Sequence, residues 1–269
     1  MMKFFKRFYI GLIFTFLYAP ILILMVFSFN DSKSRGRWGG FTLKWYADLL
    51  QDREIMSALY YTILIALLSA AIATLIGTVA AIGIHGMNRF IRGAIINITY
   101  LPVLNPDIVT GISLMMLFVF VKMERGFLSL LLAHITFNIP YVIFSVMPKL
   151  KQMDKHLYEA ALDLGAGPLY AYRKVILPEI MPGVVTGMIL AFTLSIDDFV
   201  ISYFTAGAGV SNLSIIIHSM ARRGINPTIN ALSTLMFTAV LILLLIVNKR
   251  AGNGYDKKTK NNFEEEIAI

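Results

Sequence analysis

The sequence predicts an all-α membrane protein of six transmembrane helices, with one short amphipathic helix lying on the cytoplasmic side. Three observations lead there. Of 269 residues, 57% are hydrophobic and only 15% charged, and the mean hydropathy is +0.71, well beyond a soluble domain. Six apolar runs are long enough to cross a bilayer, at about 8–29, 57–84, 94–121, 127–148, 180–206 and 228–247. Of the 24 Lys and Arg, fifteen fall at the two ends and in alternate loops, the positive-inside bias that places both termini in the cytoplasm. The first external loop, with five basic residues, runs against that bias. Residues 1–248 then form one membrane domain, and 249–269 a polar cytoplasmic tail. This placement accounts for the net charge of +8 without a nucleic-acid partner. The absence of cysteine excludes disulfides and thiolate metal sites.

The first run follows a basic segment, MMKFFKRFYIGLIF, and is about twice the length of a signal-peptide core, so it reads as an uncleaved span. The loop from Asn30 to Glu54 has Gly36, Gly39 and Gly40 for turns, and Trp38, Trp45 and Tyr46 suit the membrane interface. The second span is rich in Ala, Ser and Gly, which lets helices approach closely. The third contains YLPVLNPDIVTG from Tyr100 to Gly111. Pro102 and Pro106 each remove a backbone donor, so this helix should break. An alternative is five spans and one re-entrant segment. Asp107 follows the break; it can cap the restarted helix, line a pathway, or do both. In the fourth span, His134 and Asn138 precede Pro140 and suit hydrogen bonds across helices.

The fifth span carries Asp197 and Asp198, adjacent acids in an apolar helix. Successive side chains point about 100° apart, so one can line a pathway while the other pairs or caps locally. If both helices are near regular, Asp107, Asp197 and Asp198 share one level, roughly 21 Å from the inner edge at 1.5 Å per residue. No Lys or Arg is expected at that depth, so the acids call for a cation. The outer loop from Ala206 to Pro227 holds an amphipathic turn near Ile215 to Met220. LP-x3-P-x-[IV]-VTG occurs twice, ending at Gly111 and at Gly187.

The longest polar interruption, His156 to Pro182, reads HLYEAALDLGAGPLYAYRKVILPEIMP. Leu157, Ala160, Ala161 and Leu164 share one face of a short helix, with Glu159 and Asp163 on the other. Gly165 should end it, Gly167-Pro168 should turn the chain, and Pro182 should sit near the start of the next helix. Glu159-Ala160-Ala161, Gly165, Val175 and Leu177-Pro178 resemble the EAA loop of ABC-transporter permeases, EAA-x3-G-x9-I-x-LP, with Val175 at the Ile position. FNDS at Phe29, GFTLKWY at Gly40, ATLIGT at Ala73, NPDIV at Asn105, HITFNIP at His134 and LSIDDFVIS at Leu194 extend the resemblance to permease subunits of spermidine/putrescine importers.

The resemblance implies a type I ABC importer permease fold, whose short helix is a coupling helix seated on an ATPase. It implies a heterodimer with a second permease subunit, two ATPase subunits carrying ATP and Mg2+, and an external polyamine-binding protein, in the bacterial inner membrane. Glu159, Ala160, Ala161 and Gly165 are then the ATPase-coupling residues, and Asp107, Asp197 and Asp198 the candidates for the substrate pathway. The chain has no G-x4-GK-[ST] phosphate loop, so it should bind no cofactor of its own and the energy should come from a separate subunit. No catalytic or metal set is expected. The alternatives are an importer permease for another small cationic or organic solute and a secondary transporter with the acids as a proton relay.

Overall fold

A computed structural model describes residues 2–32, 37–154, 156–223, 227–242 and 245. Gly36, the end of the sixth apolar run and the tail at 249–269 lie outside them. Helices make up almost all of the described chain, and its one β-type pairing is an isolated bridge between Asn30 and Phe41. The described residues fall into two compact units: those within 57–216, and those up to 56 together with those from 217 to 245.

In the second of these units α1 (Met2–Phe27) begins with Lys3, Lys6 and Arg7 and has no charged residue after them. The loop after it is folded around Asn30, 1% exposed. Asn30 Oδ1 accepts from Gly39 N–H at 2.7 Å, its Nδ2 donates to the Arg37 carbonyl at 2.9 Å, and its own carbonyl accepts from Trp45 Nε1 at 2.8 Å. Trp45 is therefore buried and structural, on α2 (Lys44–Gln51), and not an interfacial anchor. Trp38 is the exposed one, edge-on to Phe27. Asp52 Oδ1 accepts from Glu54 N–H and Ile55 N–H, capping α3 (Arg53–Gly86).

Residues 57–216 are built around α6 (Phe127–Gln152), the most buried span. Val142, Ile143, Val146, Met147 and Leu150 of α6 form one core with Ala70, Ala73 and Ala81 of α3 and with Ile176, Ile180 and Ala191 of α8 (Pro168–Asp197). Small residues make this approach possible. A Cβ on Gly77 would meet Val142 at 2.8 Å, and one on Gly183 would meet the Ser145 carbonyl at 2.8 Å. The small-residue pattern of the second span thus marks a true packing face.

Four described helices are long and apolar enough to cross a membrane, and a fifth crossing would be a bent pair. That pair replaces the single third span. The chain from Asn88, whose side chain caps α4 (Arg89–Leu104), turns by 102° into α5 (Asp107–Phe120). Asn105-Pro106 forms the break, where neither ring nitrogen of Pro102 and Pro106 can donate. The helix breaks at the prolines as expected, and the near-regular geometry assumed for the height of Asp107 does not hold. Pro182 is likewise not near a helix start: α8 begins at Pro168, and Pro182 lies inside it. One π-turn at Tyr172–Ile176, with Leu177 N–H donating to the Tyr172 carbonyl, joins the two parts just before Pro178. α8 ends at Asp197, earlier than the predicted span, and α9 (Val200–Thr205) restarts after a two-residue break. The turn predicted at Ile215 to Met220 is a full helix, α10 (Leu213–Arg223), and α11 (Pro227–Ile242) is a shorter apolar helix.

Candidate functional site

The predicted coupling segment forms α7 (His156–Asp163), one residue from the expected boundaries. Gly165 has φ +85, a conformation that favours glycine. Its N–H donates to the Leu162 carbonyl at 2.8 Å, and Ala166 N–H donates to the Ala161 carbonyl at 3.0 Å. This pair is the Schellman closure, which satisfies the last carbonyls of the helix. Ala161 is on the buried side of α7, Ala160 is exposed, and the Tyr158 ring packs at a tilt against Tyr172 with centroids 4.9 Å apart. These contacts hold α7 to the base of α8. Glu159 points away: its side chain is 71% exposed, and its contact with His156, at 3.4 Å, is equally open. Leu164 and Leu169, 89% and 82% exposed, flank it. The result is a rigid helix with an acidic and apolar outer surface.

The second candidate site is the break between α8 and α9, and it separates the two adjacent acids. Asp198 is turned inward, its side chain 7% exposed. Its carboxylate caps α9, accepting from Ile201 N–H at 3.2 Å, Ser202 N–H at 2.7 Å and Ser202 Oγ at 2.8 Å. Asp197, the last residue of α8, is exposed. Asp107 is also exposed, in the first turn of α5, and makes no cap. Of the three predicted acids, two present open carboxylates and one is committed to the fold.

The two breaks meet. A Cβ on Gly111, one turn into α5, would lie 3.4 Å from Ile201 Cα and 3.0 Å from the Phe204 ring of α9. Gly187, the other end of the repeated LP-x3-P-x-[IV]-VTG pattern, makes a similar approach to Val142 and Ser145 of α6. The echo therefore marks two close helix crossings. A shared level for the three acids depends on near-regular helices, and the 102° bend between α4 and α5 removes that condition for Asp107.

His134 and Asn138 do bond across helices, and they join residues the sequence reading passed over: Ser69 of α3, Ser195 of α8, Ser202 of α9 and Asn212. Each of these is at most 2% exposed. For the three serines the only sequence signal was polarity inside apolar runs, which small hydroxyl residues carry weakly, and Asn212 lay in a predicted outer loop. Among the described residues no cluster of His, Cys, Asp or Glu suits a metal ion.

Comparison with known proteins follows this geometry. Residues 73–260 match the family described as binding-protein-dependent transport system inner membrane component. The chain is 43% identical over 238 residues to the putrescine transport system permease protein PotI of Escherichia coli K12, covering 86% of this chain and 84% of that one. It is 39% identical over 251 residues to the spermidine/putrescine transport system permease protein PotC of the same strain, covering 91% and 95%. In fold it is similar to a chain of a bacterial ABC transporter that imports alginate, with a TM-score of 0.74 at 14% identity over 94% of this chain and 96% of that one. The MetNI methionine ABC transporter gives a TM-score of 0.59 at 19% identity, over 79% and 97%.

Proposed function

This chain belongs to the family of binding-protein-dependent transport system inner membrane components, and we propose from that premise that it is a membrane-spanning permease subunit of an ATP-driven polyamine importer. The observation that carries the reading is the pairing of substantial identity to two polyamine permeases with open carboxylates at both helix breaks. A polyamine carries several hydrated ammonium groups, and an apolar pore can replace that water only with fixed negative charge. Asp197 and Asp107 supply that charge. Asp197 is also where α8 ends, so the negative end of the helix dipole reinforces its carboxylate. Asp107 stands in the first turn of α5, directly after the break at Asn105-Pro106.

Energy enters through other chains. α7, with Glu159 outermost, docks on a separate ATPase that holds ATP and Mg2+; one such subunit serves each of two permeases in a heterodimer. An external polyamine-binding protein delivers the substrate, as a periplasmic protein accompanies the alginate transporter in its complex. Both termini lie in the cytoplasm. The test is uptake of labelled spermidine and putrescine by membranes holding the full set of subunits, with and without this chain. Uptake that requires this chain is the expected result. Uptake of neither amine by the complete set would remove polyamine as the cargo.

A further inference from the structure

We propose that His134 is a positioning residue for the transport pathway, holding the α8–α9 break in the shape that leaves Asp197 open. The inference rests on the polyamine reading. It starts from valence at Ser202. Its Oγ lies 2.8 Å from Asp198 Oδ2, 2.9 Å from His134 Nε2 and 2.7 Å from Asn212 Nδ2. A hydroxyl has one proton and two lone pairs. The carboxylate accepts only, so the Ser202 proton goes to Asp198, and His134 Nε2–H and Asn212 N–H both donate to Ser202.

On the other side of the ring, Ser195 Oγ lies 3.1 Å from His134 Nδ1, 2.8 Å from Asn138 Nδ2 and 2.9 Å from Ser69 Oγ. In a neutral imidazole that donates from Nε2, Nδ1 accepts from Ser195, and Ser69 then donates to Ser195 rather than to the Ala66 carbonyl at 3.3 Å. One directed chain of hydrogen bonds runs from Asn138 through Ser195, His134 and Ser202 to Asp198.

This chain bridges the break. Ser195 lies on α8 and Ser202 on α9, and His134 of α6 holds both. Asn212 adds a second tie, donating also to the Asp198 carbonyl at 2.8 Å. The break is thus defined by side chains anchored in the core, where continuous helix would have been defined by backbone. An apolar residue at 134 would take one bond from each of Ser195 and Ser202 and remove the link between them, weakening the cap at Asp198 and letting the neighbouring Asp197 turn. Glutamine can keep both bonds, accepting from Ser195 through its oxygen and donating to Ser202 through its nitrogen.

The experiment measures polyamine uptake by the complete transporter at matched amounts of membrane-inserted protein. His134→Leu is expected to raise the half-saturating amine concentration about tenfold, with a smaller change in maximal rate. His134→Gln is expected to restore it to within about threefold of wild type. Ser202→Ala, a milder change, should shift half-saturation in the same direction if His134→Leu does not insert. Wild-type half-saturation in His134→Leu, or in Ser202→Ala where the leucine variant fails to insert, overturns the proposal, as does failure of glutamine to rescue an inserted leucine variant. Absence of uptake in the wild-type complex would instead count against the polyamine reading.

Discussion

Adjacent acids of identical type have opposite fates because the break falls between their environments. Asp198 receives three hydrogen bonds and caps α9, whereas Asp197 ends α8 and stays open. Asp198→Ala should therefore cost about 1–2 kcal/mol, the usual penalty for losing an N-cap. A lower thermal midpoint of the purified protein in detergent is the expected readout. Asp197→Asn should leave that midpoint unchanged and weaken uptake roughly ten- to a hundredfold, since a charge-assisted contact is worth about 1.5–3 kcal/mol. Loss of stability in Asp197→Asn with normal uptake would reverse the two roles. The sequence showed that one acid could cap while the other faced a pathway, but not which. That choice depends on Ser202 and His134, which lie 4 and 64 positions from Asp198, and only the folded chain brings them together.

At the scale of the element, glycine spacing decides which helices pack. A side chain at 183 would have to displace backbone of α6, with Ser145 O at 2.8 Å and Val146 Cα at 3.2 Å. Gly183→Val is expected to destabilise the protein by about 1–3 kcal/mol through overpacking. A Cβ at Gly93 in α4 meets nothing within 4 Å, so Gly93→Ala should be neutral or slightly stabilising. Comparable loss of folded protein in both variants would contradict this assignment of the packing face. The short helix α7 was readable almost to the residue, because Gly165 is a local stop signal that works through its own backbone. The third and fifth spans were not. Prolines announce a break, but its 102° angle and the restart of α9 after Asp198 are set by contacts such as Gly111 with Ile201.

Across the whole molecule, the coupling surface and the break are tested by different variants. Glu159→Lys changes only an open side chain, so the protein should fold and insert normally while ATP hydrolysis loses its response to the binding protein. Retained coupling in that variant would take α7 out of the ATPase interface. Reporters fused at Lys151 and after Asn248 should both read cytoplasmic, and one at Asp31 external. Opposite sides for the first two would require an odd number of crossings between them. Membrane class and family could be read from composition and the EAA loop, because apolar runs recur along the chain and the EAA loop is a local signal complete within twenty residues. The number of crossings could not, since apolar length alone does not say whether a bent pair spans. The 30 residues of α8 extend without a gap from the base of α7 to Asp197, about 45 Å at 1.5 Å per residue. A hydrogen-bonded helix transmits a push or a twist along its axis with little compression, and its one irregular turn, at Tyr172–Ile176, is where compliance is concentrated. Torque applied at the foot of such a shaft is delivered at its tip, so a movement too small to rearrange the core could still swing the carboxylate that ends it.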